Sequence, residues 1–159
     1  MPDQQPLYMC VRCDASFQSD EPIRFCNKCG ASVKLVEGEA LKQVLLIDDS
    51  KLTRNKMSAI LKSLGFKVTE AESGPEGLKT AESLKPDLII LDIEMPQMTG
   101  IEVLKILSTQ EQQDEIPVVM LTGHADVELV KQALSMGAKD YVLKDKSVLE
   151  IANRLKKYV

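Results

Sequence analysis

Beyond residue 42, five polar residues each stand directly after a short apolar run. Asp48 and Asp49 follow Val44-Leu45-Leu46-Ile47, and Asp92 follows Leu88-Ile89-Ile90-Leu91. Thr122 follows Val118-Val119-Met120-Leu121, and Lys144 follows Tyr141-Val142-Leu143. Such runs are too short for helices and read as buried strands. In an open α/β sheet, ligands bind outside the carboxyl ends of the strands. Taken singly, each residue has an ordinary role: an aspartate caps a helix, a threonine closes a turn, a lysine is solvated. Taken together they describe a site. Three crowded carboxylates repel and raise one another's pKa, and a hard divalent cation removes the conflict. An incomplete oxygen site suits Mg²⁺, which keeps several waters and joins carboxylates to a phosphoryl oxygen. A carboxylate beside that cation can attack phosphorus and form an acyl phosphate. Lys144 can neutralise the equatorial oxygens, and Thr122 can donate to one of them. Gly123 leaves room for the group to enter.

A second chemistry lies in the first 30 residues, which hold all four cysteines. Cys10-Val11-Arg12-Cys13 and Cys26-Asn27-Lys28-Cys29 each put two thiolates on one tight turn, and two such turns supply a tetrahedral metal site. So short a segment cannot bury enough apolar surface to fold alone, so the metal would be its core. Tyr8, Phe17, Ile23 and Phe25 could pack around it. Zn²⁺ is the expected ion, with iron as the alternative. Disulfides are disfavoured in a reducing cytosol, and a redox pair needs only one Cys-x-x-Cys.

The elements that must position the first set follow from periodicity. Ser50 is a helix cap, and the next segment carries Leu52, Met57, Ile60, Leu61 and Leu64 as a stripe closed by Gly65. Phe66 to Ala71 reads as a strand, and Ser73-Gly74-Pro75-Glu76 opens a helix with Leu78, Ala81 and Leu84 inward. A helix from about Gly100 to Ser108 follows the third strand. Another, from about Asp126 to Met136, follows the fourth. The last, Ser147 to about Lys157, is expected to bury Leu149, Ile151, Ala152 and Leu155. Five strands alternate with five helices, which implies a parallel sheet covered on both faces, in flavodoxin-like order 2-1-3-4-5. The expected organisation is a cysteine module over residues 1–36, a polar linker over 37–41 and a (βα)5 domain over 42–159.

Composition sets limits. A charged fraction of 28% and a net charge of -4 fit a globular protein with no general attraction for nucleic acid or anionic lipid. No apolar stretch approaches the ~20 residues that span a bilayer. The N-terminus lacks the basic and apolar regions of a secretory signal, which argues for the cytoplasm. The cysteine module is net acidic, which favours protein contact over nucleic acid.

Residues 7–33 resemble zinc ribbons, in which paired Cys-x-x-Cys knuckles sit on a small β-hairpin. Cys10, Cys13, Cys26 and Cys29 would ligate Zn²⁺. Residues 42–159 resemble the receiver domain of bacterial response regulators. The matching residues are Asp48-Asp49, Asp92 with Met95-Pro96 and Gly100, Thr122-Gly123, Gly137-Ala138-Lys139-Asp140-Tyr141 and Lys144. The resemblance implies that Asp92 accepts a phosphoryl group from a histidine kinase or phosphotransfer protein. Asp49, Asp92 and the main-chain carbonyl of Glu94 would ligate Mg²⁺, with Asp48 acting through water. Thr122 and Lys144 would hold the phosphoryl oxygens. Tyr141 would be the aromatic switch that turns inward as Thr122 moves. Glu94 and His124 hold positions associated with phosphoryl lifetime. Output would pass through the face of the fourth helix, fifth strand and fifth helix of the module. That face would dock a downstream protein or support weak dimerisation. No separate DNA-binding output domain is expected, and the chain would be a phosphoacceptor rather than an enzyme acting on other molecules. One departure stands out: receivers commonly have Lys-Pro with a cis bond after the fifth strand, whereas Lys144 precedes Asp145. A cis bond there would cost about 2.5–4 kcal/mol.

Two other readings compete. A receiver-like module that never takes phosphate would lack the complete set of five. A phosphohydrolase resembling the haloacid-dehalogenase-like enzymes would want an aspartate where Glu94 stands, and a cap domain.

Overall fold

The computed structural model describes residues 7–10, 12–13, 15–19, 23–36, 42–109, 116–123, 127–155 and 157–158. The chain divides into two compact units, Met1–Leu41 and Lys42–Val159. Residues 37–41, expected as a linker, lie outside the described residues, as does His124.

The first unit carries a three-stranded antiparallel sheet of β1 (Leu7–Cys10), β2 (Ser16–Gln18) and β3 (Val33–Val36), with β1 in the middle. The simple hairpin expected from sequence is thus extended by a third strand. Alternation along β1 buries Tyr8 and Cys10 and leaves Met9 outside. An isolated bridge joins Phe25 to Ser32.

The second unit alternates β4 (Gln43–Ile47), α1 (Lys51–Ser63), β5 (Lys67–Ala71), α2 (Gly74–Leu84) and β6 (Leu88–Asp92). It continues with α3 (Gly100–Ser108), β7 (Val118–Thr122), α4 (Val127–Ser135), β8 (Asp140–Leu143) and α5 (Val148–Leu155). All pairings in its sheet are parallel, in the order β5-β4-β6-β7-β8. This is the expected 2-1-3-4-5 arrangement within the unit.

Period-2 alternation divides the core between the two sheet faces. Val44, Leu46, Leu88, Ile90, Val119, Leu121 and Val142 pack with Met57 and Leu61 of α1 and Ile151 and Leu155 of α5. Leu45, Ile47, Ile89, Leu91, Val118 and Met120 pack with Ala81 of α2, Val103 and Leu104 of α3 and Ala133 of α4. The crossover helices thereby cover both sides, which is why the central strands are apolar throughout.

Two helical expectations need correction. Leu52 is 80% exposed and Leu149 is 69% exposed. Leu52 shares its side of α1 with Lys56 and Ala59, both exposed, whereas Arg54, Met57, Ser58 and Leu61 form the buried stripe. Leu149 similarly shares its side of α5 with exposed Asn153. Each leucine is about a quarter-turn or more off the inward direction.

The junction of β6 with α3 is fixed by close packing. The amide of Gly100 donates to the carbonyl of Ile93 at 2.9 Å. A Cβ at Gly100 would fall on the carbonyl oxygen of Asp92 and lie 3.0 Å from the Ile93 Cα. Thr99 caps α3 in a capping box with Glu102, so the helix start cannot slide to make room. Gly100→Ala is expected to destabilise the second unit by about 2–3 kcal/mol, read as a lowered denaturant midpoint at constant m-value. An unchanged midpoint would mean that the β6–α3 turn is loosely held.

Candidate functional site

The same alternation that sorts the core sorts the polar strand ends. Asp92 continues the series Leu88, Ile90 on β6; Asp48 continues Val44, Leu46 beyond β4; Lys144 continues Val142 beyond β8. All three therefore emerge toward the α1/α5 side. Thr122 continues Val118 and Met120 and belongs to the opposite side, where Tyr141 also packs. Two neighbouring sets result: Asp48 and Asp92 with Lys144 on one side, and Thr122 with Tyr141 on the other, toward which Asp49 continues Leu45 and Ile47.

The first set is tightly assembled. The Lys144 ammonium lies 2.8 Å from Asp48 Oδ2 and 2.8 Å from Asp92 Oδ2. Asp48 is 0% exposed and Asp92 1% exposed. Their other oxygens serve the backbone: Asp48 Oδ1 accepts from the Ser50 amide at 2.8 Å, and Asp92 Oδ1 from the Glu94 amide at 3.3 Å. At 2.8 Å the lysine holds each Oδ2 by charge and by N–H donation together. Asp49 is exposed, and one oxygen from each of Asp48, Asp49 and Asp92 lies within 4.8 Å of the others. Two buried carboxylates that share one ammonium, beside a third exposed carboxylate, fit a hard divalent cation. Glu94 itself points to solvent. Ser50 is the cap of α1, accepting from the Thr53 amide, so Asp48 and Asp49 are not used up as caps.

Burial pushes the Asp92 carboxyl up to about 6; Lys144 opposes this and the charge of Asp48 adds to it. Burial disfavours the Lys144 ammonium, but Asp48 and Asp92 outweigh it and raise its pKa.

Lys144 reaches this position without a cis bond, since all peptide bonds of the described residues are trans. Its amide donates to the Thr122 carbonyl at 2.9 Å, and its own carbonyl accepts from Lys56 Nζ at 3.0 Å. Ser147 and Glu150 then form a reciprocal cap that starts α5. A lysine on α1 and a capping box thus define a turn in which Asp145 stands where proline is expected.

Thr122 is buried at the end of β7, and a Cβ at Gly123 would meet no atom of the described residues within 4 Å. Tyr141 is half-buried, with the Arg154 guanidinium 5.1 Å from its ring centroid. Arg154 also donates to Asp140 Oδ1 at 2.7 Å and to the Tyr141 carbonyl at 2.8 Å. Burial would raise the Asp140 pKa, but Lys157, the Tyr141 amide and Arg154 bring it below the usual carboxylate range.

In the first unit the two cysteine turns are built alike. The Cys10 amide donates to the Ala15 carbonyl, and the Cys26 amide to that of Ala31. The Arg12 amide points at Cys10 Sγ and the Lys28 amide at Cys26 Sγ, at 3.4 and 3.3 Å. Sulfurs lie 3.4 Å apart for Cys10–Cys29 and 3.6 Å for Cys13–Cys26, and all four are free thiols. A tetrahedron of thiolates about zinc has edges of about 3.8 Å, for Zn–S bonds of about 2.3 Å. These separations fit that set and are too long for disulfides. The amides of Arg12 and Cys13 lower the Cys10 pKa to about 6. The Ala15 amide favours a Cys13 thiolate, but burial and the neighbouring sulfurs push that thiol up to about 12. The Cys13 thiol thus resists deprotonation unless a cation shares the cluster.

Two residues of this region escaped the sequence reading. Arg54 and Lys56 fall outside the apolar stripe read for this helix, yet both bond main-chain carbonyls of the site. For Arg54 a signal existed: it lies at i–3, i–4 and i–7 from Met57, Ser58 and Leu61, on the buried stripe.

A family model described as the response regulator receiver domain matches residues 44–156. The alkaline phosphatase synthesis transcriptional regulatory protein PhoP of Bacillus subtilis is 40% identical over 116 residues, 72% of this chain and 47% of that protein. The phosphate regulon transcriptional regulatory protein PhoB of Pseudomonas aeruginosa is 35% identical over 115 residues, 72% of this chain and 50% of that protein. The chain spans half or less of the length of these curated relatives. Among solved structures, the chemotaxis protein CheY4 of Vibrio cholerae superposes with a TM-score of 0.72 at 32% identity. That match covers 76% of this chain and 100% of the other. The receiver domain of sensor histidine kinase PA1611 from Pseudomonas aeruginosa, which has a magnesium ion coordinated in its active-site cleft, gives a TM-score of 0.69 at 27% identity. It covers 75% of this chain and 98% of that one.

The raised pKa of Asp92 has a measurable consequence. Between pH 3.8 and about 6 the folded chain holds a proton on Asp92 that the unfolded chain releases. Rising pH through that window therefore lowers stability. Asp92→Asn is expected to be more stable than wild type by about 1–3 kcal/mol at pH 7 without metal. The gap should close below pH ~4. Thermal unfolding against pH checks this; a pH-independent difference would remove the titration of Asp92 from the account.

Proposed function

The chain belongs to the response regulator receiver family through residues 44–156, and from that premise we propose that Asp92 is the phosphoacceptor of a two-component signalling protein. The observation that carries this reading is the buried pair Asp48–Asp92 clasped by Lys144 at 2.8 Å, beside exposed Asp49. An Asp92 carboxylate oxygen attacks the phosphorus of a phosphohistidine on a histidine kinase or phosphotransfer protein. The P–N bond breaks, its electron pair returns to the imidazole, and an acyl phosphate forms on Asp92. Water later attacks phosphorus, restoring the carboxylate and releasing inorganic phosphate. Mg²⁺, held by Asp49, Asp92 and the Glu94 carbonyl with Asp48 behind water, would neutralise charge on the phosphoryl oxygens. Lys144, already at the acceptor oxygen, exchanges part of its pairing with Asp92 for the arriving phosphoryl group. Gly123, with no side chain and no described atom within 4 Å of its Cβ position, leaves room for that group.

Thr122 and Tyr141 lie on the same side of the sheet, which suits a coupled switch. As Thr122 follows the phosphoryl oxygens, Tyr141 turns inward and gives up its contact with Arg154. The exposed apolar residues Val127 and Leu134 on α4, with Val148 and Leu149 on α5, support the face of α4, β8 and α5 as the output surface. A downstream protein or a second receiver would dock there. No helix among the described residues is long and apolar enough to cross a membrane. A histidine-kinase donor and a cluster of reduced thiols both support a cytoplasmic location in this reading.

The first unit is read as a zinc ribbon for protein contact, with Cys10, Cys13, Cys26 and Cys29 as ligands and residues 1–36 as its extent. Closed thiolate sites of this kind supply folding free energy outright.

The receiver reading is tested by NMR with Mg²⁺ and beryllofluoride. Resonances of Thr122, Tyr141 and α4 are expected to shift in wild type and stay in place in Asp92→Asn. No change in wild type with Mg²⁺ bound would favour a module that never takes phosphate, and rapid turnover of phosphate esters would favour a hydrolase. For the ribbon, elemental analysis should find one zinc per chain. A strong chelator should erase the β1–β3 resonances and leave the β4–β8 sheet intact. A metal-free chain with β1–β3 still ordered would overturn it.

A further inference from the structure

Resting on the receiver reading, we propose that Arg54 is a positioning residue for the cation site: it grips the main chain of both acids on the β4–α1 turn and sets where their carboxylates lie. Arg54 is 9% exposed, an unusual burial for a guanidinium. Its Nη1 donates to the Asp48 carbonyl at 2.7 Å and to the Asp49 carbonyl at 3.1 Å. Two successive carbonyls can converge on one nitrogen only if the chain bends between them. That bend sends the Asp48 side chain inward to Lys144 and leaves Asp49 at the surface.

The other side of the guanidinium is anchored in turn. Nε lies 3.7 Å from a Glu70 oxygen, and Nη2 3.6 Å from a Glu72 oxygen. Glu70 is on β5 and Glu72 follows it, so the arginine ties the acid turn to the neighbouring strand as well as to α1. Its backbone joins the same turn, the Arg54 amide donating to the Ser50 carbonyl at 2.9 Å.

The chemistry of the contact matters. Arginine paired directly with Asp48 or Asp49 would occupy the oxygens that a cation needs. By bonding carbonyls, Arg54 leaves those carboxylates available, and it spends its charge on Glu70 and Glu72. Groups that orient metal ligands in this way typically change metal affinity about 10–100-fold when removed. Lysine offers one compact charge in place of a planar fork, so it can replace only part of this.

The test uses the full chain with Arg54→Met, Arg54→Lys and the double variant Glu70→Gln, Glu72→Gln. Mg²⁺ alone is titrated, followed by the amide resonances of Asp49, Asp92 and Glu94, and unfolding midpoints are measured without metal. Arg54→Met is expected to weaken Mg²⁺ binding about tenfold or more, with Arg54→Lys intermediate. The double variant, which frees the guanidinium to swing, should weaken it severalfold. A merely structural role would lower the unfolding midpoint and leave the Mg²⁺ affinity of the folded protein unchanged. Affinities within about twofold of wild type in all variants that fold would overturn the proposal. If Arg54→Met does not fold, the other two decide. A wild-type chain that binds no Mg²⁺ would overturn the receiver reading, and this one with it. A wild type that binds, with variants that bind equally, would overturn this one alone.

Discussion

One ammonium group between two buried carboxylates organises the second unit. Lys144 lies 2.8 Å from both Asp48 and Asp92, which come from different strands and are almost wholly buried. Two anions and one cation leave the knot a net charge short, and burial makes that shortage expensive. The raised pKa of Asp92 expresses the cost. A second cation satisfies the electrostatics, so the site is unstable in the sense that makes it receptive. The fold supports it by alternation along β4, β6 and β8, by the Gly100 contact behind Asp92, and by Arg54 beneath the acid turn.

Much of this was legible in the residues. Apolar runs ending in Asp48-Asp49, Asp92, Thr122 and Lys144 named the strands, and regular alternation named the sheet order. The cap at Ser50 and the positive-φ glycine Gly65 follow from local chemistry. What counting strand ends missed was parity. Alternation along each strand puts Thr122 and Tyr141 on the side opposite Asp48, Asp92 and Lys144, and it could have been read by extending each apolar series one residue. Arg54 lies outside the stripe of apolar residues, although its spacing from Met57 and Leu61 puts it inward. Leu52 and Leu149 failed the opposite way: a leucine near a stripe was counted as part of it. The Lys144–Asp145 turn was not legible, because it depends on Lys56, 88 residues away in sequence.

The two units use cations in different ways in the proposed reading. The cysteine unit offers four soft thiolates in a closed set, and its small sheet has few apolar residues of its own. Metal there substitutes for a core. The receiver has a complete core on both sheet faces and offers three hard oxygens in an open set. Metal there serves chemistry that comes and goes. The segregation of all cysteines before residue 30 and of the strand-end acids after residue 47 reflects that division.

The most direct test of the central claim locates the phosphoryl group. The chain is incubated with a small phosphodonor and Mg²⁺, and the acyl phosphate is reduced with borohydride, which converts a phosphorylated aspartate to homoserine. Peptide mass spectrometry then identifies the modified position. Homoserine is expected at position 92, dependent on Mg²⁺. Modification elsewhere, or none while Mg²⁺ is bound, would contradict it.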